Sequence, residues 1–240
     1  MKKLITTLSI TGTALFALQA QAWEPGDMIV RAGVATVSPD AGSDGIAIPA
    51  LGIDPISGTS VDVGDDTQLG LTFTYMYTSN FGVEVLASTP FTHSISADLN
   101  AAGLGVAPVG ETSHLPPTIS AVWYPIGSKA PFKPYLGAGL NYTMFFDTSV
   151  SPVLEGVVGG LAGLPEAPQL DMDLEDSLGL ALQAGLDYAI DDAWHVNASI
   201  RWVDINTDAT ITNKALGKVI TVNNVEIDPW VYQVNIGYKF

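Results

Sequence analysis

The sequence contains no cysteine, and only 14% of its 240 residues are charged. Without cysteine there is no disulfide framework and no thiol chemistry. The charged fraction is low, since about a quarter of the residues of a soluble domain are normally charged. Basic residues are scarcer than acidic ones, with 9 Lys and Arg against 25 Asp and Glu. The resulting net charge of −16 argues against binding of nucleic acid through general electrostatics.

A long hydrophobic run is present only at the N-terminus. Residues 1–22 combine a basic head at Lys2 and Lys3, an apolar stretch and an Ala-Gln-Ala ending. This order is typical of a secretory signal peptide, so residues 23–240 are predicted to form the mature domain. No later stretch has the length and apolarity of a membrane-spanning helix. A membrane form of this chain therefore has to be a closed β-barrel, because open sheet edges are not tolerated in lipid.

The last stretch, DPWVYQVNIGYKF at 228–240, alternates between two kinds of environment. One face carries Trp230, Tyr232, Val234, Ile236, Tyr238 and Phe240, and the other carries Val231, Gln233, Asn235, Gly237 and Lys239. An apolar face with aromatic residues at both ends is typical of a strand that crosses a bilayer. The terminal Phe240 also resembles the aromatic signature that the outer-membrane barrel assembly machinery reads.

Seven further segments show the same alternation. With the last one, they occupy 28–37, 67–77, 81–91, 117–124, 135–146, 177–189, 194–205 and 228–240. Short connections at 78–80, 125–134 and 190–193 alternate with long ones at 38–66, 92–115, 147–176 and 206–227. We predict an all-β fold, an eight-stranded antiparallel transmembrane β-barrel with short periplasmic turns, long extracellular loops and both termini in the periplasm. A soluble barrel is the alternative, but its outer face would carry more charge than either face does here.

Several motifs occur in the order found in one known family. They are TQLGLTFTYM (67–76), GVEVLASTPF (82–91), HLPPTISAVWY (114–124), PYLGAGLNYTMFFD (134–147) and the closing strand. By these motifs the chain resembles the OmpW family of outer-membrane proteins. The resemblance implies a barrel in the outer membrane of a Gram-negative bacterium, in contact with lipid and lipopolysaccharide. It also implies a channel through which small hydrophobic molecules pass the lipopolysaccharide layer.

The inward positions predict how such molecules could pass. An eight-stranded barrel has room inside for side chains or one small ligand, and not for a wide aqueous pore. Four apolar inward residues either line a narrow hydrophobic lumen or plug it; they are Met76, Leu86, Val122 and Phe145. The lumen face of the closing strand predicts a polar floor, with the apolar part of the path higher up, around Leu86 and Phe145.

Two charged residues, Glu84 and Arg201, also occupy inward positions. A buried charge needs a partner, so we predict one polar lumen network that includes Gln183 or Asp187.

Prolines cluster at the outer end of the seam between the third and fourth segments. They are Pro90, Pro116 and Pro117. Because proline cannot donate to a strand ladder, hydrogen bonding should be interrupted there. We hypothesise a lateral opening through which an apolar solute leaves the lumen for the membrane. The alternative is that these prolines only end two strands at a loop.

The sequence offers little catalytic or metal chemistry. His93 and His114 flank the second outer loop and form a weak candidate metal pair, although solvated loop bases are favoured because a third ligand is lacking. An enzyme acting on lipids would need one of them beside Ser88 or Ser113. We expect no catalytic residue, no resident metal and no cofactor. A lipid-modifying enzyme, and a structural or receptor barrel whose loops bind external ligands, are the alternatives to the hydrophobic channel.

Overall fold

The computed structural model describes residues 22–103, 105–126 and 130–240. The predicted signal peptide lies outside these residues, except for Ala22. The strands are β1 (Met28–Ser38), β2 (Ile46–Ile48), β3 (Ile53–Ile56), β4 (Ser60–Val63), β5 (Asp66–Met76), β6 (Phe81–Ser88), β7 (Phe91–Asp98), β8 (Val106–Leu115), β9 (Thr118–Trp123), β10 (Phe132–Val150), β11 (Asp171–Leu174), β12 (Ser177–Ala189), β13 (Trp194–Val203), β14 (Asn206–Asn213), β15 (Gly217–Glu226) and β16 (Trp230–Lys239). One α-helix, α1, spans Pro152–Leu161, and short 3₁₀ turns span Pro49–Leu51 and Asn100–Ala102. Among these residues, no helix is long and apolar enough to cross a membrane.

Eight strands close into an antiparallel barrel. Around the ring they follow the order β1, β5, β6, β9, β10, β12, β13 and β16, and β16 pairs with β1. Each of the eight alternating segments overlaps one of these strands, so the predicted fold class is confirmed. Connections at 77–80 and 190–193 lie at one end, which we call the short-turn end. The opposite end, where the long connections lie, is the long-loop end.

Side chains along the barrel strands alternate between a buried inward face and an exposed outward face. In β16, Trp230, Tyr232 and Val234 are exposed, whereas Gln233 and Asn235 are buried. The exposed residues of the other barrel strands are likewise mostly apolar or aromatic. A continuous apolar belt of this kind is stable only against lipid, because soluble proteins rarely expose apolar patches beyond a few hundred Å².

The long connections build a structured layer beyond the barrel. β10 continues past the barrel and pairs with β8, which pairs in turn with β7, and β7 pairs with β4. A second sheet has the order β11, β14, β15, β2, β3. Apolar residues of both sheets and of α1, among them Ile95, Val158 and Ile211, share one hydrophobic core. These segments were predicted only as loops, and the third barrel strand ends at Ser88 and not at residue 91 as predicted.

Candidate functional site

An apolar cavity of about 200 Å³, the distal cavity, lies at the long-loop end and is lined by both sheets and α1. Its apolar walls include Ile46, Ile95, Val158, Met172, Ile211 and Val222. Among the described residues, the polar side chains in its lining are three threonines and two histidines: His93, Thr112, His114, Thr143 and Thr207. Apolar cavities of about 150 Å³ stay dry and bind molecules such as benzene. The distal cavity is therefore suited to a small apolar ligand.

A second cavity, the seam cavity, lies between the distal cavity and the barrel interior. It has a volume of about 10 Å³, and its walls include Leu86, Phe91, Pro116, Val231 and Arg201. Such a volume holds about one water molecule, so this part of the lumen is closed in the structure. Four residues line both cavities and separate them: Val37, His114, Ile205 and Pro229. Of the predicted hydrophobic lumen residues, Phe145 lines the distal cavity and Leu86 the seam cavity.

The ladder between β6 and β9 is interrupted beside the seam cavity. Pairing ends at Leu86 opposite Thr118 and resumes between β7 and β8 at Phe91 opposite His114. Residues 87–90 on one side thus face the shorter segment 115–117 on the other, and the register shifts by one residue. We call this interruption the proline seam. No ladder pair joins these two segments.

The three predicted prolines have different positions at the proline seam. Pro116 is buried and lines the seam cavity, whereas Pro90 and Pro117 are exposed. Asn141, itself buried, donates from Nδ2 to the carbonyl oxygens of Pro116 at 3.0 Å and Pro117 at 3.3 Å. The carbonyl of Pro117 also accepts from the backbone of Tyr142 in β10. In an antiparallel strand, the backbone N and C=O groups of one residue point toward the same neighbouring strand, and those of the next residue point toward the other neighbour. Because Pro117 faces β10, Pro116 is the proline whose backbone faces β6.

A buried polar network fills the middle of the barrel. Arg201 Nη2 lies 3.1 Å from Glu84 Oε1 and also donates to Gln183 Oε1. Gln183 Nε2 donates to the same Glu84 oxygen at 3.0 Å. Arg31 links the two carboxylates. Its Nη1 lies 3.1 Å from Glu84, and its Nε and Nη2 lie 3.0 Å and 2.8 Å from the two oxygens of Asp187. The structure thus brings Glu84, Arg201, Gln183 and Asp187 together, with charges balanced two against two.

Arg31 was missing from the predicted network although it is central to it. The sequence did contain a signal, because Arg31 alternates with Gly33 on the inward face of β1. Its guanidinium also donates to Thr74 and Tyr124, each at 2.8 Å. With an exposure of 1%, Arg31 closes the lumen at this level together with its partners.

Below the polar network, the lumen ends on an apolar and aromatic cluster, the aromatic floor. It consists of Trp23, Ile29, Met76, Val122, Tyr124 and Tyr135. The level predicted as a polar floor thus contains an apolar and aromatic cluster, while the buried polar side chains of His195 and Lys133 lie at the same level, against Trp23. Met76 and Val122, expected in the hydrophobic lumen, pack in this floor and do not line either cavity.

His93 and His114 lie on facing strands and are not solvated, contrary to the sequence prediction. Their rings stack at 4.9 Å between centroids and 17° between planes, and Phe91 extends the stack. The two residues are 2% and 5% exposed. Burial lowers the pKa of both imidazoles, that of His114 to about 3. Within the described residues, no group of three or more candidate ligands is placed to hold a metal ion.

Neither serine considered for an enzyme is engaged by a histidine. The Oγ atom of Ser113 lies 2.9 Å from the hydroxyl of Thr92. The Oγ atom of Ser88 is buried at the seam cavity and has no hydrogen-bond partner. The geometry thus provides no activated serine nucleophile at these two positions.

Acid should destabilise the layer beyond the barrel through His114. Burial, and secondly the neighbouring His93, lower its folded pKa to about 3, whereas an unfolded histidine titrates near 6.5. The unfolded state therefore binds the extra proton first, so stability is full above pH ~6.5 and falls toward pH ~3, by at most about 1.4 kcal/mol per pH unit for this group. Urea unfolding between pH 7 and 4 measures the slope. His114→Phe should make it shallower, with His93 accounting for part of the remaining slope, and an unchanged slope would contradict the assignment.

Phe240 lies at the short-turn end and is 69% exposed. Its amide donates to the carbonyl of Met28 at 2.8 Å, and its ring contacts the edge of Tyr238 at 4.7 Å between centroids. Phe240 is thus held in the outward aromatic girdle. Its role as an assembly signal stays a prediction.

Comparisons with known proteins agree with this architecture. The model of the OmpW family matches residues 24–240. Over 240 residues, and 100% of both chains, the sequence is 42% identical to outer membrane protein W of Escherichia coli K12 and 41% identical to that of Vibrio cholerae serotype O1. The crystal structure of the outer membrane protein OprG from Pseudomonas aeruginosa superimposes with a TM-score of 0.78 at 38% identity, covering 93% of this chain and 99% of OprG. These relatives are named as outer-membrane proteins and not as enzymes.

Proposed function

Because this chain belongs to the OmpW family of outer-membrane proteins, we propose that it takes up small apolar molecules passively and releases them sideways into the membrane. One observation carries the proposal. The apolar distal cavity ends above a closed, charged network and beside an interrupted strand pairing. The mostly apolar lining of the two cavities thus leads from the outside toward the proline seam and not toward the periplasm, and it is divided only by the four residues that the cavities share.

The mouth of the distal cavity supports capture of apolar solutes from outside. Leu51, Val157 and Leu161 line the cavity and are each exposed by 41% or more. Exposed apolar side chains at a cavity mouth offer a solute favourable contact before it is fully enclosed. In this proposal, the layer beyond the barrel carries the solute through the lipopolysaccharide.

The polar network supports a sideways route. Arg201 lies at the bottom of the seam cavity, and its partners Glu84 and Gln183 fill the lumen beneath. An apolar molecule that crossed this level would have to separate buried ion pairs without replacing their hydrogen bonds. Opening the proline seam separates no buried ion pair, and the strand pairing there is already interrupted.

Filling the distal cavity should reduce uptake. Ala209 lines this cavity, and Ala209→Phe places a ring in a space of about 200 Å³. We expect about tenfold slower uptake, equivalent to about 1.4 kcal/mol of lost solute binding. The measurement is accumulation of a radiolabelled alkane by Gram-negative cells that lack their own family member and express the variant.

The matched control is Ala198→Phe, which adds the same ring on the exposed outward face of β13. It should leave uptake unchanged. Equal uptake by wild type and Ala209→Phe, with normal amounts of folded protein, would overturn the proposed route through the distal cavity.

A further inference from the structure

The hydrogen bond made by His93 determines which of its ring nitrogens carries the proton. Nδ1 lies 2.5 Å from the carbonyl oxygen of Gly64, and a carbonyl oxygen can only accept. Nδ1 therefore carries the hydrogen. Burial lowers the pKa of His93, so the ring is neutral at pH 7 and Nε2 is left as an acceptor.

This acceptor is unsatisfied. Nε2 of His93 is buried and has no hydrogen-bond partner, while the ring lines the distal cavity. A buried polar atom without a partner is unfavourable, and a ligand that brings a donor removes that penalty. Only a donor satisfies it, because Nε2 in this tautomer has no hydrogen to give.

The rest of the lining restricts the donor to a neutral group. The distal cavity is lined by no Lys, Arg, Asp or Glu among the described residues. A carboxylate would lose its hydration without gaining a cation, and an ammonium group would find no carboxylate. A hydroxyl at the end of an apolar chain carries the required donor without a charge.

We propose that the distal cavity prefers apolar molecules that end in a hydroxyl, such as medium-chain alcohols, and that the hydroxyl donates to Nε2 of His93. This inference rests on the proposed function and specifies its substrate class. An alkane fills the same apolar space but leaves Nε2 unpaired. An ether of the same length brings an acceptor and repels the lone pair.

The test measures binding of 1-octanol, methyl octyl ether and octane to the full chain in lipid nanodiscs, by displacement of a fluorescent apolar probe. His93→Phe keeps an aromatic ring stacked against His114 and Phe91 but removes the acceptor. We expect the variant to bind 1-octanol about tenfold more weakly, the effect of one buried hydrogen bond. Its affinity for octane should stay within about twofold of wild type, and its affinity for the ether should not fall, because the variant removes the repelling lone pair.

The outcomes separate this inference from the proposed function. Equal losses for all three ligands, or no loss for 1-octanol, would overturn the hydroxyl assignment while leaving apolar uptake in place. Failure of octane to bind wild type would overturn the proposed function as well. As an independent readout, the ¹⁵N resonance of His93 Nε2 should shift with 1-octanol and not with octane, and bound 1-octanol without this shift would refute the contact.

Discussion

Replacing Arg31 with methionine should destabilise the barrel by about 3–5 kcal/mol, the cost of leaving a buried charge without its partner. Arg31 is 1% exposed and contacts both carboxylates of the polar network. Asp187 depends on it most, since it receives two hydrogen bonds from this guanidinium, at 3.0 and 2.8 Å. Methionine fills part of the space but returns none of these bonds. Glu84 is affected less, because Arg201 and Gln183 still donate to it.

The expected loss can be measured by urea-driven unfolding of the protein reconstituted in lipid vesicles. The control is the double variant Arg31→Met with Asp187→Leu, which removes the positive and the negative charge together. It should be more stable than Arg31→Met alone, because no carboxylate is then left unpaired. A loss below about 1 kcal/mol for Arg31→Met, or a double variant less stable than the single one, would contradict the view that this charge balance holds the lumen closed.

The barrel could be predicted from the sequence because the side chains of a membrane strand alternate between two opposite environments, the lipid and the lumen, with a period of two residues. The closing strand shows why, since Tyr232, Val234 and Ile236 face outward while Gln233 and Asn235 face inward. Both requirements are local, so they are visible in single segments. Membership in the OmpW family and location in the outer membrane followed from such segments and are confirmed.

The functional site depends on the height of each residue along the barrel axis and on the register between neighbouring strands. Local sequence patterns contain neither of these. Arg31 and Asp187 are separated by 156 positions in the chain, and only the stagger of the strands brings them to one level. For the same reason, Met76 and Val122 were assigned to the path although they lie in the aromatic floor. His93 and His114 were expected to be solvated, because the pairing of β7 with β8 that buries them cannot be read from loop composition.

Closing the proline seam covalently should bring uptake of an apolar solute down to the level of cells without the protein. If the β6–β9 ladder continued in register beyond Leu86 and Thr118, Ser88 would stand opposite Pro116, and both residues line the seam cavity. A disulfide between Ser88→Cys and Pro116→Cys would hold the two strands together where a solute has to leave. The chain has no cysteine of its own, so the engineered pair is the only thiol pair present.

The decisive comparison is between the oxidised and the reduced state of the same variant. Uptake should be lost on oxidation and return after treatment with a reducing agent, while 1-octanol still binds in the distal cavity in both states. The matched control is Val83→Cys with Ala121→Cys, a paired position lower on the same two strands, whose cross-link should leave uptake unchanged. Undiminished uptake by fully oxidised Ser88→Cys/Pro116→Cys protein would exclude the seam as the exit. The solute would then have to pass the polar network, and Arg31→Met would be expected to accelerate uptake, which the lateral route does not require.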